Sequence, residues 1–286
     1  MPGDIHTYEL WIATLACVGG FISTLEWISN RRQLKNDGLF SWAVFETRGV
    51  VVKPEPLERL LNGLVQYRPF LGLLVLRLAA MLCLPVALWL GHGSTAVLII
   101  VFGSSLLMHF RCPFGMDGSD QMLTQIFGAL LLGNLSGSDL GHRAALWFIG
   151  AQACLSYFTS GMAKAVSPHW RDGKVVFAIF NTRTYGYEPV ARLLKNKPGV
   201  TKSLGRGAVL MECIFPASML VGFPACLIFI AWGVAFHIMN AVVMGLNSFF
   251  WSFVATYPAV LYCSVVISVW LQPLIHRLPF ALFGPA

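Results

Sequence analysis

Of 286 residues, 56% are hydrophobic and only 12% charged, against about 45–50% and about 25% in an average soluble domain. That balance excludes a disordered chain and a water-soluble globule, and it predicts an integral membrane protein with most of its length in lipid. The formal charge of +7 then reports topology and contact with membrane lipid rather than nucleic acid.

The N-terminus carries Asp4 and Glu9 where a cleavable signal needs positive charge, so the first apolar run is expected to stay as a helix. Windows of about 20 apolar residues fall at about 8–28, 69–90, 94–110, 119–137, 143–165, 204–223, 225–246 and 249–272. No window alternates as a lipid-facing strand would. The expected fold is therefore all-α, a polytopic bundle of about eight transmembrane helices forming one membrane domain over 1–286.

Between the windows, residues 29–68 and 166–206 hold fifteen of the 20 basic residues. With eight spans these two loops share a side, and the positive-inside rule makes it cytoplasmic. Within them Pro54-Glu-Pro-Leu-Glu-Arg-Leu-Leu and Glu188-Pro-Val-Ala-Arg-Leu-Leu read as short surface helices or as plain connectors. The seven cysteines are scattered, with no CxxC pair and no histidine at ligand spacing, so no metal site is expected.

Ionisable residues inside apolar spans are costly and mark function or a structural pair. Here they are Glu26, Arg77, Asp117, Asp120, Lys164, Glu212 and His237. Arg77 reads most simply as the neutraliser of an acid on a neighbouring helix. Asp117 or Ser119 caps the fourth helix, and Asp117, Gln121 and Gln125 recur at i, i+4 and i+8 as a polar stripe entering the membrane. On the fifth helix Tyr157, Gly161 and Lys164 share a face. Lys164 is either a snorkelling cation or an amine held in an apolar cleft as a base. His237 and Asn240 share a face of the seventh helix, and His237 reads equally as a satisfied interior donor.

Tyr157-Phe-Thr-Ser-Gly-Met-Ala-Lys, followed by Trp170 and Gly173, resembles a segment of the vitamin K-dependent gamma-glutamyl carboxylases and their bacterial relatives, the HTTM (horizontally transferred transmembrane) proteins. Phe236-His-Ile-Met-Asn is similar to that family's later helix, and Arg77 to the arginine of its early helix. The resemblance spans roughly 68–265. It implies a base at Lys164 that starts oxidation of a vitamin K-like quinol, with His237 and Asn240 lining the quinol or glutamate pocket. Asp117 and Asp120 join Lys164 and His237 as candidate catalytic residues. Tyr157, Asn240, Gln121, Glu212 and Arg77 are the candidate substrate contacts. The implied setting is a bacterial inner membrane and the implied partner a quinone or a peptide, as in maturation of a secreted toxin by sporulation-delaying-type systems. A non-catalytic subunit or immunity-type protein is the alternative, and a transporter comes third.

Overall fold

In lipid a backbone amide has no water to bond, so a long apolar stretch closes its hydrogen bonds within itself as a helix. The computed structural model describes residues 4–47 and 55–275, and these are helical with no strand among them. In chain order the helices are α1 (Ile5–Ser29), α2 (Trp42–Glu46), α3 (Glu55–Leu64), α4 (Tyr67–Leu90), α5 (Ser94–Arg111), α6 (Gly118–Ser136), α7 (Asp139–Val166), α8 (Pro168–Arg171), α9 (Lys174–Phe180), α10 (Glu188–Leu194), α11 (Pro198–Ile214), α12 (Cys226–Met244), α13 (Asn247–Val254) and α14 (Tyr257–Ile275). Short 3₁₀ turns lie at Arg31–Leu34 and Phe215–Met219.

Five segments are long and apolar enough to cross a membrane: Ile5–Ser29, Tyr67–Leu90, Ser94–Arg111, Cys226–Met244 and Asn247–Trp270. They make the chain an integral membrane protein. Their outward side chains are apolar, as lipid requires: Val75, Leu82 and Trp89 on α4 and Ile228, Met239 and Val242 on α12 are all exposed.

The other three expected windows coincide with α6, α7 and α11, which are more polar. Asp120, Gln121, Gln125 and Asn134 lie in α6, Asp139, His142, Arg143, Gln152 and Lys164 in α7, and Lys202 and Arg206 in α11. Two windows are also interrupted. Pro216 cannot donate to the carbonyl four residues back, and the α-helix tightens there into the turn at Phe215–Met219. The last window breaks at residues 255–256, and Pro258 enters the first turn of α14.

Both expected surface helices are present as α3 and α10, while Pro54, with Arg48 and Lys53, lies outside the described residues. Every described basic residue of the two loops is exposed.

The chain divides into two compact units. Of the described residues, the first comprises 4–8, 146–250 and 256–275, the second 9–47, 55–145 and 251–255. In the second unit α4 packs on α5 and α5 on α6, around Leu34, Phe70, Leu74, Met108 and Cys112. Buried Arg111 fastens the loop after α1 to this core: Nη1 donates to the Phe40 carbonyl and Nη2 to that of Leu34, each at 2.8 Å, while the guanidinium lies 4.9 Å over the Phe70 ring. In the first unit α9 packs on α8 and on α10, and all three pack on α11, while the turn at Phe215–Met219 meets α11, α12 and α14.

Candidate functional site

Residues spaced i, i+4 and i+7 stand above one another on a helix, so the second half of α7 presents Tyr157, Gly161 and Lys164 as one stripe. The middle of that stripe decides what it meets. A Cβ on Gly161 would stand 2.8 Å from the backbone nitrogen and the Sγ of Cys213, and 2.9 Å from Cβ of Glu212. Only a glycine lets α11 come this close, and the approach carries the Glu212 carboxylate to Lys164.

The Lys164 amine donates to both oxygens of Glu212 at 2.6 Å and to Ser160 Oγ at 2.7 Å, and it sits 5.3 Å from the centre of the Trp170 ring. The Glu212 side chain is 4% exposed and that of Lys164 20%. This is a nearly buried ion pair with a cation–π contact beside it. Trp170 belongs to α8, and Gly173 follows it with φ of 75° at the start of α9.

One turn before Gly161, buried Tyr157 anchors the other end of the stripe. Its hydroxyl lies 2.9 Å from His237 Nε2 and 2.6 Å from the Tyr257 hydroxyl, and its ring stacks on Phe215 with centroids 3.9 Å apart. Trp232 flanks the same ring, and Phe236 stacks on Trp232. Gly233, one turn before His237, makes the room: a Cβ there would stand 2.4 Å from the Tyr257 hydroxyl. The three polar groups form a chain with two self-consistent proton arrangements. Tyr257 donates to Tyr157 and Tyr157 to Nε2, or Nε2–H donates to Tyr157 and Tyr157 to Tyr257.

Lys164, Glu212, Tyr157 and His237 thus belong to one side-chain cluster in the first unit. Asn240 is half-buried and makes no hydrogen bond to it. The acid on Lys164 is Glu212, expected as a substrate contact, and not Asp117 or Asp120, expected beside Lys164 as catalytic residues. Those two lie in the second unit, closing the start of α6 as a capping box: Asp117 Oδ1 accepts from the Ser119 and Asp120 amides at 2.7 and 3.3 Å, and Asp120 Oδ2 accepts from the Asp117 amide at 3.2 Å. One oxygen of each is engaged by amides that any helix start leaves free, and Asp120 Oδ1 accepts from Ser23 Oγ at 3.4 Å. Gln121 is exposed, and the stripe turns inward only at Gln125, whose buried Oε1 has no partner among the described residues.

Arg77 departs from expectation as well. The sequence makes it the partner of an acid, yet among the described residues no carboxylate lies within ion-pair distance. Its guanidinium donates instead to Thr24, Ser104 and Ser105 hydroxyls and the Val101 carbonyl. Sequence reasoning did not single out Ser160, Phe215 or Tyr257. Tyr257 carried one usable signal, a phenol immediately before Pro258 at a helix start.

No protein family, no curated protein and no solved structure gives a match to this chain.

Proposed function

We propose that this is a bacterial inner-membrane enzyme of the HTTM, gamma-carboxylase-like kind, with Lys164 as a base acting on a lipid-soluble quinol or a peptide in the maturation of a secreted peptide. In this proposal α6, α7, and α11 with its following turn complete eight spans, and the two basic loops face the cytoplasm. The supporting observation is that Tyr157, Gly161 and Lys164, which carry the resemblance, lie on one helix face together with contacts to Glu212, His237 and Tyr257.

The aromatic rings of Phe215 and Trp232 around Tyr157 suit a planar head group, and a phenol and an imidazole suit its oxygens. A quinol supplies two electrons and an O–H. Lys164 becomes a base by passing a proton to Glu212, which turns ammonium and carboxylate into amine and acid with no change in total charge. Scarce water favours that exchange, because two ions lose more hydration than two neutral groups. Nζ then accepts a proton from an O–H or C–H held beside it. The Tyr257–Tyr157–His237 chain moves a second proton by switching between its two arrangements.

The test uses protein in nanodiscs given menaquinol and oxygen, with quinol oxidation followed by absorbance and thermal unfolding measured in parallel. Wild type is expected to oxidise menaquinol faster than empty nanodiscs. Lys164→Met and Lys164→Arg should both abolish this, with Arg leaving the unfolding temperature intact because it keeps the charge but cannot give up its proton. A fully active Lys164→Arg protein removes the base.

A non-catalytic subunit or immunity-type role is favoured by one specific feature. Both Glu212 oxygens and Ser160 Oγ already occupy the three N–H donors of Lys164. In that case wild type oxidises no quinol and Lys164→Arg is neutral in cells. The orientation has its own test: cysteines at Lys35 and Lys195 should react with an impermeant reagent only after the membrane is opened, and labelling from outside intact cells reverses the topology.

A further inference from the structure

Arg77 lies near the middle of the 24-residue α4 and is buried. Its surroundings are chemically one-sided. Nε donates to Thr24 Oγ1 at 3.1 Å, and Nη1 donates to Ser105 Oγ at 2.6 Å, Ser104 Oγ at 3.1 Å and the Val101 carbonyl at 3.2 Å. Each hydroxyl commits its own proton to its helix, Thr24 to the Gly20 carbonyl and both serines to that of Val101, so lone pairs face the guanidinium.

All four acceptors are neutral. Asp120 acts on Arg77 only from a distance, its oxygens facing the Asp117 amide and Ser23 Oγ. Among the described residues Nη2 donates no hydrogen bond. An arginine does not shed its charge, and a charge held inside a membrane without a counter-ion is costly.

The groups it bonds lie nearer one end of α1 than the other. Thr24 is five residues from the end of α1, and Ser105, Ser104 and Val101 are six, seven and ten from the end of α5. At about 1.5 Å per residue these are depths of about 8–15 Å.

We propose that the Nη2 edge of Arg77 binds a carboxylate that enters from this end of the second unit. A monoanion balances the single positive charge, and two carboxylate oxygens match the two Nη2 hydrogens. A dianion such as phosphate would exchange one unbalanced charge for another. The site lies in the second unit and does not depend on the role of Lys164.

Protein in nanodiscs of zwitterionic lipid is titrated with ¹³C-formate, ionic strength being held with isethionate, and binding is read from ¹³C line broadening. Wild type is expected to broaden the formate line saturably, and Arg77→Gln to weaken binding about tenfold or more. Asp120→Asn keeps an oxygen for the cap while removing the competing negative field, and should bind formate several-fold more tightly. If Arg77→Gln does not fold, Asp120→Asn decides alone, and affinity there equal to or below wild type overturns the site. Dodecanoate displacing formate at a lower concentration than formate itself identifies an acyl-borne carboxylate, and failure to displace identifies a water-soluble one. Absence of broadening in wild type, or equal broadening in wild type and Arg77→Gln, overturns the proposal.

Discussion

Lys164 in the first unit and Arg77 in the second are both basic side chains drawn away from water, and their N–H groups are satisfied by opposite means. Lys164 meets a carboxylate at 2.6 Å, while Arg77 meets three hydroxyls and a carbonyl. The difference follows the chemistry of the two side chains. An ammonium is a compact charge with three donors that one carboxylate and one hydroxyl can satisfy, whereas a guanidinium spreads five donors over a rigid fork and collects acceptors from several helices. A lysine–glutamate pair can also become neutral by moving one proton. Arginine has no such exit, so Arg77 is suited to holding charge and Lys164 to transferring a proton.

The largest effect expected from breaking this contrast is at the ion pair. Lys164→Met leaves Glu212 buried without a counter-charge and should cost about 3–5 kcal/mol, measured by denaturant unfolding in detergent, whereas the double variant Lys164→Met with Glu212→Leu should recover most of the loss. Full additivity of the two single changes would mean that the pair is not coupled. A smaller effect is expected around Arg77, whose solvation is shared. Ser104→Ala or Ser105→Ala should each cost about 1 kcal/mol and the double change distinctly more than their sum, because the last hydroxyl removed strands Nη1 on a carbonyl alone. A single serine variant costing as much as Lys164→Met would place the charge on one partner and end the distinction.

Much of the fold and part of the site could be read from residues in order. Apolar length located each of the eight windows on a helix or a pair of helices, and the rarity of Lys164, Glu212, His237 and Arg77 inside such windows drew attention to them. Spacing on α7 put Tyr157, Gly161 and Lys164 on one face. What spacing along one helix cannot supply is which other helix that face meets. Glu212 is therefore one acid among several in the sequence, and a cap at Asp117 or Ser119, which the sequence does suggest, leaves open whether Asp117 and Asp120 also reach Lys164. Thr24, Ser104 and Ser105 were illegible for another reason: hydroxyls are ordinary in apolar helices, where they bond their own backbone, and here they do that and accept from Arg77 too. The division into two units has no marker in composition, since its boundaries fall inside α1, α7 and α13 and in the turn between α13 and α14.

The three hydroxyls have a mechanical consequence as well. α4 is apolar on every side, with buried Leu74 followed by exposed Val75 and Leu76, so hydrophobicity alone gives it no preferred azimuth. A turn of one residue, about 100°, would exchange one leucine for another at little cost, but it would swing the guanidinium away from α1 and α5. Arg77 is thereby a rotational key: it fixes which way a uniformly greasy cylinder faces its neighbours, a task that apolar packing in lipid leaves undone.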